Sequence, residues 1–449
     1  MSTPILRFAP SPTGLLHIGN ARTALINWLF ARKNKATFIL RLDDTDLARS
    51  EQQYEQAIYE DLKWLGLSYD RIEWQSKRLR EYEKAADALK ASGRLYACYE
   101  TPEELEFKRR RLLSQGRPPI YDRAALNLTP EEHAHFLKEG RKPHWRFKLM
   151  SEAISWKDLI RGEISFEGEN LSDPILIRED NSPVYTLSSV VDDIDFGITH
   201  VIRGEDHITN TAIQLQLIEA LGADSKSFTF GHVQYLLGEQ GESLSKRIGS
   251  LSLRQLREEG YEACALASYL AKLGTSEDIS PALSLDQLIS EFDISHVGRA
   301  APRFSKNMLD RMNARLLHHQ SYNHAQARLA EEGLHYIHEE FWNMCHGNIN
   351  KLMDLKHIWN ICTQELAPKI EDASYLEEAC RSLPFEPWSS ETWVIWTQAL
   401  KEKTGRKGKD LFMPLRQALT GEDHGPEMKE LLPLIGREKA LKRLQGKVA

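Results

Sequence analysis

The sequence lacks the features that mark secreted, membrane-spanning and cysteine-clustered metal proteins. It has no run of about 18 apolar residues, so no transmembrane helix is predicted. Its first ten residues, MSTPILRFAP, have neither the basic start nor the apolar core of a signal peptide, and a cytoplasmic location is therefore expected. The cysteines are few, odd in number and widely spaced, with no CxC or CxxC pair, which argues against a disulfide framework and a clustered zinc site. They are Cys98, Cys264, Cys345, Cys362 and Cys380.

Size predicts several domains, and the charge distribution permits a nucleic-acid partner without requiring one. For 449 residues, at roughly 150 residues per domain, we expect about three domains. The net charge of −7 disfavours nucleic acid, but binding depends on local fields. The stretch from Lys401 to Ala449 holds 12 Lys and Arg against 7 Asp and Glu, a local charge of +5. A second basic cluster covers Lys108 to Arg111, and either cluster can equally be a solvated helix face.

The first 70 residues carry the pattern of a nucleotide-binding βαβ unit. Ile5 to Ala9 and Thr37 to Leu42 are predicted strands, and apolar residues recur at helical spacing between His17 and Lys33. A strand, a glycine-containing loop, a helix and a second strand are typical of a doubly wound α/β sheet.

Further along, the patterns predict an insertion and then a helical region. Two Thr-Pro-Glu-Glu segments after Cys98 are helix starts, and strand-like pieces follow them, as in an inserted α+β module. Strands of the parallel sheet are expected again at Val184–Ile194 and Ile198–Gly204. After Leu251 nearly every segment has helical periodicity, which predicts an all-α C-terminal part.

The segment RFAPSPTGLLHIGN, Arg7 to Asn20, joins the first predicted strand to the first helix. His17 and Gly19 fall at the helix N-terminus, where backbone N–H groups and the helix dipole favour phosphate, and a glycine permits close approach. The segment resembles the HIGH-motif loop of class I aminoacyl-tRNA synthetases, in the form that glutamyl enzymes carry. The resemblance implies that His17 and Gly19 bind ATP and act in catalysis, and that Ser11 contacts ATP and glutamate.

RLDDTD, Arg41 to Asp46, follows the second predicted strand, where such sheets bind their ligands. A Mg²⁺ site or a solvated turn would explain these acids equally well. The synthetase family carries RxEDTD here, and its first acid contacts the substrate amino group. The resemblance therefore assigns that contact to Asp43, which is one methylene shorter than the usual Glu.

A third segment, Val184 to Thr211, resembles the second half of the family's catalytic sheet. The resemblance implies a glutamate pocket lined by Tyr185, Ser189 and Arg203, with Asp206 and His207 near ATP; Ser189 replaces an Asn found in many relatives. Residue chemistry supports one of these roles independently, because a buried carboxylate needs planar, permanently charged, bidentate partners. Arg7 and Arg203, on two predicted strands, are expected to clamp the side-chain carboxylate of glutamate, the alternative being a structural Arg–Asp pair.

The segment GESLSKRIGSLSL, Gly241 to Leu253, resembles the KMSKS loop of the same family, with Ser243 in place of the first lysine. A mobile loop of this kind closes over a triphosphate and offsets its developing negative charge. The resemblance makes Lys246 a catalytic and ATP-binding residue, helped by Arg247.

The C-terminal segments FMPLRQALTG and IGREKALKRL resemble the helical anticodon-binding domain of bacterial glutamyl-tRNA synthetases. Unpaired bases require stacking surfaces and cations, and Phe412 stands among basic residues. The alternative is a packed helix with solvated lysines. The predicted tRNA-binding residues are Arg406, Lys407, Lys409 and Arg416.

Some relatives hold zinc in the inserted module through a Cys-x-Cys pair and a later Cys/His pair. Here the first pair is reduced to Cys98-Tyr99-Glu100, and Tyr121-Asp122 stands further on. One cysteine cannot make a four-ligand zinc site, so no zinc and no other bound metal is expected beyond the Mg²⁺ that accompanies ATP.

Together these observations predict an α/β protein with a Rossmann-type class I synthetase core, an inserted α+β domain and an all-α anticodon-binding domain. The expected domains are residues 1–97 with 185–235 (catalytic), 98–184 (acceptor stem), 236–310 (stem contact and SLSKR loop) and 311–449 (anticodon). The implied substrates are L-glutamate, ATP and tRNA(Glu), and the sequence leaves open whether tRNA(Gln) is a further substrate. We expect a monomer with no membrane partner.

Three alternative functions can be distinguished from the resemblance above by features of this sequence. Glutaminyl-tRNA synthetases carry a loop closer to RFPPEPNGYLHIGH and a β-rich anticodon domain. The short paralogue that glutamylates queuosine in tRNA lacks a C-terminal domain, which this chain has. An inactive tRNA-binding paralogue would have no reason to retain His17, Arg203 and Lys246.

Overall fold

The structure, a computed structural model, describes residues 3–46, 48–242, 244 and 251–449. Backbone contacts divide the chain into two compact units. The first comprises Met1–Glu258, Ala267–Ser280 and Ser284–Ser305, and the second comprises Glu259–Leu266, Pro281–Leu283 and Lys306–Ala449. Within the described ranges, no helix has both the length and the apolar character needed to cross a bilayer.

The strands, in chain order, are β1 (Ile5–Phe8), β2 (Thr37–Leu42), β3 (Arg71–Trp74), β4 (Leu95–Cys98), β5 (His144–Phe147), β6 (Ala153–Asp158), β7 (Gly162–Glu167), β8 (Ile175–Ile177), β9 (His200–Gly204) and β10 (Thr229–Val233). The helices of the first 258 residues are α1 (Ile18–Lys33), α2 (Gln52–Trp64), α3 (Leu79–Ala91), α4 (Pro102–Ser114), α5 (Pro130–Lys138), α6 (Tyr185–Asp195), α7 (Ile208–Ala220) and α8 (Leu253–Glu258). The later helices are α9 (Ala263–Lys272), α10 (Leu285–Glu291), α11 (Lys306–His319), α12 (Tyr322–Glu331), α13 (Glu339–Cys345), α14 (Asp354–Thr363), α15 (Ala373–Arg381), α16 (Ser390–Thr404), α17 (Lys409–Thr420), α18 (Met428–Ile435) and α19 (Arg437–Leu444).

The first unit is built on a five-stranded parallel sheet with the order β10-β9-β1-β2-β3. Chain order reverses at β1, whose neighbours are β2 on one side and the much later β9 on the other. Ligands of open α/β sheets bind at the carboxyl ends of the strands at such a reversal. The sheet is the predicted doubly wound one, and the reversal predicts a site where β1 and β9 end.

The segment between β3 and β9 forms two small antiparallel sheets beside this core. One has the order β4-β5-β8, and the other is the hairpin β6-β7. Thr101 and Thr129 cap α4 and α5 as their sequences predict, each in a capping box with the Glu three residues later. The inserted α+β module is therefore present.

The strand predicted at Val184–Ile194 was wrong, because these residues form the helix α6 (Tyr185–Asp195). Leu187, Val190, Val191 and Ile194 have the spacing of one helix face, but the β-branched residues of the segment favour a strand, and four polar residues between them are buried as well. Asp192 and Asp193 are buried because they bind arginines from other elements. The helix therefore brings two acids to the carboxyl end of the sheet.

The second unit is helical, as the sequence predicts, and no strand occurs in its described residues. Its single core is apolar and includes Trp342 and Trp396, both fully buried, together with leucines from α11 to α19. The core explains why helical periodicity is strong in this part of the sequence.

Candidate active site

Arg203, at the end of β9, is a buried cation without a carboxylate partner in the described residues. It is 5% exposed, and its guanidinium donates to the Tyr185 hydroxyl at 3.3 Å, the Thr211 hydroxyl at 2.5 Å and the His207 carbonyl at 3.4 Å. Its Nε is buried with no acceptor. Burial, with Arg7 nearby, lowers the pKa of Arg203 below its usual value. The pocket therefore holds a desolvated positive charge that an anionic ligand would neutralise.

Arg7 lies on β1, beside β9, and faces the same side of the sheet. Leu6 pairs with His200, so Arg7 lies opposite Val201, two residues before Arg203. Side chains two residues apart in a strand face the same side, so Arg7 and Arg203 do as well. Arg7, however, already has an acidic partner, because its Nε lies 3.1 Å from Oδ1 of Asp193. The structure thus brings both predicted clamp arginines together, but only Arg203 lacks a counter-charge.

The first acid of RLDDTD is also paired within the protein. Arg41 Nε lies 2.7 Å from Oδ1 of Asp43, and its Nη2 lies 3.1 Å from Oδ2, so both oxygens of Asp43 are engaged. Burial raises the pKa of Asp43 to about 6, in spite of that pair. The loop before α1 lies alongside, since the Asp43 amide donates to the Pro10 carbonyl at 3.0 Å. Ser11 of this loop is exposed.

Arg41 and Asp193 are site residues that the sequence reasoning did not single out. Arg41 contacts Asp193 at 2.8 Å and also donates to the Ser189 hydroxyl at 3.1 Å. Asp193 therefore joins Arg7 to Arg41, and Ser189 orients Arg41. One signal was available, because Arg41 and Asp43 are two residues apart at the end of a strand and so face the same side.

His17 is the N-cap of α1, and its imidazole is exposed. Its Nδ1 accepts from the amides of Gly19 at 3.0 Å and Asn20 at 3.4 Å, so the proton of the neutral ring is on Nε2. Although His17 is exposed to solvent, the protein atoms around the ring partly desolvate it and lower its pKa, which favours the neutral ring near pH 7. The ring therefore presents an N–H donor away from the helix.

Gly19 has a structural role beside the nucleotide contact that the sequence suggested, which stays a prediction. A Cβ at this position would lie 2.9 Å from Cε1 of His17 and 3.0 Å from its Nδ1. The glycine makes room for the histidine ring, and the ring in turn occupies the amides that were expected to meet phosphate. Any contact of this helix end with phosphate would then involve Nε2 of His17.

Asp206 and His207 follow Arg203 at the carboxyl end of β9. The His207 ring lies 5.4 Å from that of Tyr185, centroid to centroid, and its Nε2 lies 3.5 Å from Oδ2 of Asp206. Burial and the neighbouring Arg203 lower the pKa of His207 to about 4, so the ring is neutral at pH 7. These residues border the Arg203 pocket, and their place near ATP, which the resemblance implied, stays a prediction.

Ser243, Lys246 and Arg247 of the predicted catalytic loop lie outside the described residues. The chain is described again from Leu251, whose carbonyl accepts from the Ile18 amide at 3.2 Å, and His17 forms a bridge with Ser252. Leu251, near the end of this loop segment, therefore lies beside the N-terminus of α1.

The four cations predicted to bind tRNA differ in how they are engaged. Lys407 and Lys409 are exposed and make no ion pair with any described residue. Arg406 pairs with Asp372 at 2.6 Å and lies over the Tyr375 ring. Arg416 is half-buried and donates to the Pro426 carbonyl at 2.7 Å. Of the four, the two lysines are both exposed and without an ion pair, whereas Arg416 has no ion pair with a described residue but is half-buried.

The inserted module contains one group of side chains with the chemistry of metal ligands. Ligand atoms of Cys98, Glu100 and His144 lie within 4.8 Å of one another. Burial raises the pKa of the Cys98 thiol to about 11, and Lys108 lies 3.1 Å from Glu100. Tyr121 donates to Glu100 at 2.8 Å. A protonated thiol and a lysine-bound carboxylate are poor zinc ligands, and this chemistry favours the expectation of no zinc. That expectation stays a prediction.

Comparison with known proteins gives consistent matches over the whole chain. Residues 5–311 match the family model described as tRNA synthetases class I (E and Q), catalytic domain, and residues 362–448 match an anticodon binding domain. The chain is 54% identical to the glutamate–tRNA ligase of Azospirillum brasilense, with 98% of this chain and 99% of that protein covered. It is 52% identical to glutamate–tRNA ligase 1 of Rhodospirillum rubrum over the full length of both. A crystal structure of a glutamate tRNA ligase from Elizabethkingia meningosepticum, in complex with its amino acid, superposes with a TM-score of 0.83 at 29% identity and covers 99% of this chain and 98% of that one.

Proposed function

The chain belongs to the class I tRNA synthetases of the glutamate and glutamine type, and from that premise we propose that it is a glutamate–tRNA ligase. It activates L-glutamate with ATP, taken as its magnesium complex, and transfers the glutamyl group to the terminal adenosine of tRNA(Glu). The reaction releases pyrophosphate in the first step and AMP in the second.

The unpaired, buried Arg203 is the observation that carries this proposal. A carboxylate from the substrate would accept bidentate hydrogen bonds from Arg203, including its free Nε, and would supply the missing negative charge. The Tyr185 hydroxyl, 3.3 Å from the same guanidinium, is placed to bind the same group. The neutral amide of glutamine would leave the charge uncompensated. This electrostatic difference favours glutamate over glutamine as the amino acid.

ATP is proposed to bind where β1 and β9 end, with its α-phosphate near His17. The glutamate α-carboxylate attacks that phosphorus, and charge grows on the phosphate oxygens as pyrophosphate leaves. The Nε2–H of His17 donates to one of these oxygens, and the Gly19 amide fixes the ring by its bond to Nδ1. Lys246 is proposed to meet the triphosphate, because it is five residues from Leu251, whose carbonyl binds the α1 N-terminus.

The second step transfers the glutamyl group without a covalent enzyme intermediate. A hydroxyl of the terminal adenosine of tRNA, the 2′ one by class resemblance, attacks the adenylate carbonyl and AMP leaves. The protein contributes orientation and electrostatic stabilisation in both steps.

The domains are proposed to divide the work on tRNA as the sequence suggests. Residues 98–184 bind the acceptor stem, 236–310 contact the stem, and 311–449 read the anticodon. Lys407 and Lys409 are the cations best placed to meet RNA phosphates, because no described acid neutralises them. The proposal includes a cytoplasmic, monomeric enzyme.

ATP–pyrophosphate exchange tests the activation step. Exchange should depend on L-glutamate, with L-glutamine and L-aspartate as matched substitutes that change the charge or the length of the side chain. The measurement is made with and without tRNA(Glu) transcript, so that a requirement for tRNA does not hide the activity. Equal exchange with glutamine would contradict the charge argument.

Charging purified transcripts of tRNA(Glu) and tRNA(Gln) then measures the tRNA specificity. Acceptance of tRNA(Glu) is expected, and the rate with tRNA(Gln) decides whether one or two tRNAs are substrates. No charging of either transcript, with pyrophosphate exchange intact, would contradict the ligase assignment.

A further inference from the structure

A buried chain of hydrogen bonds runs from the hairpin β6-β7 to the Arg203 guanidinium. Oδ2 of Asp158, the last residue of β6, lies 2.6 Å from Nδ1 of His232 on β10. Nε2 of the same ring lies 2.9 Å from the Thr211 hydroxyl on α7. That hydroxyl in turn lies 2.5 Å from Nη2 of Arg203. Asp158, His232 and Thr211 are 2%, 0% and 0% exposed, so water does not compete for these bonds.

The hydrogen bonds of Asp158 determine which atoms donate and which accept along this chain of hydrogen bonds. Its Oδ1 accepts from the amides of Ile160 and Arg161, each at 3.0 Å, and from the His232 amide at 3.2 Å. Although burial acts to raise it, these bonds and the one from the His232 ring hold the pKa of Asp158 below its usual value. The carboxylate is therefore ionised and only accepts, which requires a proton on Nδ1 of His232.

The ring is neutral, so its other nitrogen is an acceptor. Burial lowers the pKa of His232, and the nearby Arg203 lowers it further against the effect of Asp158. Nε2 then accepts a hydrogen bond from the Thr211 hydroxyl. The His207 carbonyl oxygen, 3.2 Å from that hydroxyl, is a second possible acceptor. With its proton directed to His232, Thr211 turns its lone pairs to Arg203. Every donor in the chain points toward Asp158, and each bond is polarised by the next.

We propose that Asp158, His232 and Thr211 are positioning residues that orient Arg203 for the substrate carboxylate. This inference rests on the proposed function and deepens it. The chain holds Nη2 by a directed hydrogen bond and leaves Nε and part of Nη1 for a ligand. Asp158 and His232 belong to no motif that identified the site, Thr211 is the last residue of the segment Val184 to Thr211 but was given no role there, and none of the three touches the proposed substrate. Their effect is on glutamate affinity and on discrimination by charge, while ATP binding is unaffected.

Thr211→Val tests the link nearest to Arg203, since valine keeps the shape and loses the hydroxyl. The KM for glutamate in pyrophosphate exchange should rise about tenfold to a hundredfold, the effect of one hydrogen bond to a charged group. The KM for ATP should stay within about twofold of the wild-type value, which is a minor energetic change. Thr211→Ser restores the hydroxyl and should recover most of the affinity. Thr229→Val, at the first residue of β10 and outside this hydrogen-bond chain, is the matched control and should leave both constants unchanged.

Asp158→Asn tests the far end of the chain without removing volume. The amide oxygen can keep the backbone bonds, so its NH₂ group faces Nδ1 of His232 and drives the proton to Nε2. The ¹⁵N chemical shifts of the His232 ring report this tautomer change directly. Glutamate KM should rise, but less than in Thr211→Val, because Thr211 still accepts from Arg203.

Three outcomes would overturn the inference. One is a wild-type KM for glutamate in Thr211→Val, and another is an equal rise in the KM values for glutamate and ATP. A His232 ring that keeps its proton on Nε2 in the wild-type protein would overturn it as well. In all these cases the wild-type protein still exchanges pyrophosphate with glutamate. Absence of that exchange in the wild type would instead contradict the proposed function.

Discussion

Replacing Arg203 with alanine separates binding from stability, because the arginine has no carboxylate partner within the described protein. In the proposed complex it meets a buried substrate carboxylate. Removing one partner of a buried charged pair costs about 2–5 kcal/mol, which corresponds to a factor of roughly 30 to several thousand. The KM for glutamate should rise by this factor, with the ATP constant nearly unchanged. In the free protein the variant leaves no buried acid unpaired, so its free energy of unfolding should change by less than about 1.5 kcal/mol.

Arg41→Ala is the matched control, since Arg41 is an equally buried arginine of the same sheet edge. It contacts Asp43 at 2.7 Å and Asp193 at 2.8 Å, and its loss leaves these buried carboxylates unpaired. Breaking such pairs costs about 3–5 kcal/mol of stability. Urea unfolding and glutamate-dependent pyrophosphate exchange, measured on both variants, give the two quantities. A near-normal glutamate KM in Arg203→Ala, or a stability loss as large as that of Arg41→Ala, would refute the reasoning.

Four further outcomes are expected. Lys246→Ala should lower turnover in adenylate formation about 10²- to 10³-fold with little change in KM, and a larger loss in Arg247→Ala would contradict the assignment of the loop. Lys407→Ala and Lys409→Ala should each reduce the slope of log tRNA affinity against log salt by about one, and an unchanged slope in both would remove them from the RNA interface. Metal analysis should find no stoichiometric zinc, and a chelator should not shift the melting temperature; one zinc per chain would disprove this. Burial raises the pKa of Asp61 to about 6, so the stability that its protonated form contributes is present below its unfolded pKa and is lost as pH rises through about 6. Asp61→Asn should therefore raise the melting temperature near neutral pH but not near pH 4. An equal effect at both pH values would contradict the assigned burial.

The fold was predictable where the sequence is periodic or carries a cap. The alternation of strand and helix around RFAPSPTG, the two Thr-Pro-Glu-Glu helix starts and the helical C-terminal part all agree with the structure. The segment Val184–Ile194 was predicted wrongly, although Leu187, Val190, Val191 and Ile194 have the spacing of one helix face. Its β-branched and apolar residues favour a strand by composition alone.

The sequence predicts which side chains lie in the candidate site, but not which of them form ion pairs with one another. Arg7, Arg203 and Tyr185 do come together at the end of the sheet. The sequence could not show that Asp193 neutralises Arg7 and leaves Arg203 unpaired, since Arg7 and Asp193 are 186 residues apart. For the same reason the sequence could not show that the missing Cβ of Gly19 makes room for the His17 ring. Contacts of this kind depend on the packed structure and leave no local pattern.

The position of β1 between β2 and β9 has a consequence for synthesis on the ribosome. The β1-β2 pair can form as soon as the first 42 residues have emerged, but the bond between Ile5 and Thr199 joins residues 194 positions apart. One edge of β1 therefore stays unpaired while the whole inserted module is translated, and an unpaired strand edge is prone to aggregation. The proposed glutamate pocket is completed at the same moment as this edge is covered, because Arg203 arrives on β9. If Arg203 binds the substrate carboxylate as proposed, a shorter nascent chain has neither a complete sheet nor affinity for glutamate, which can then stabilise only chains in which both halves have docked.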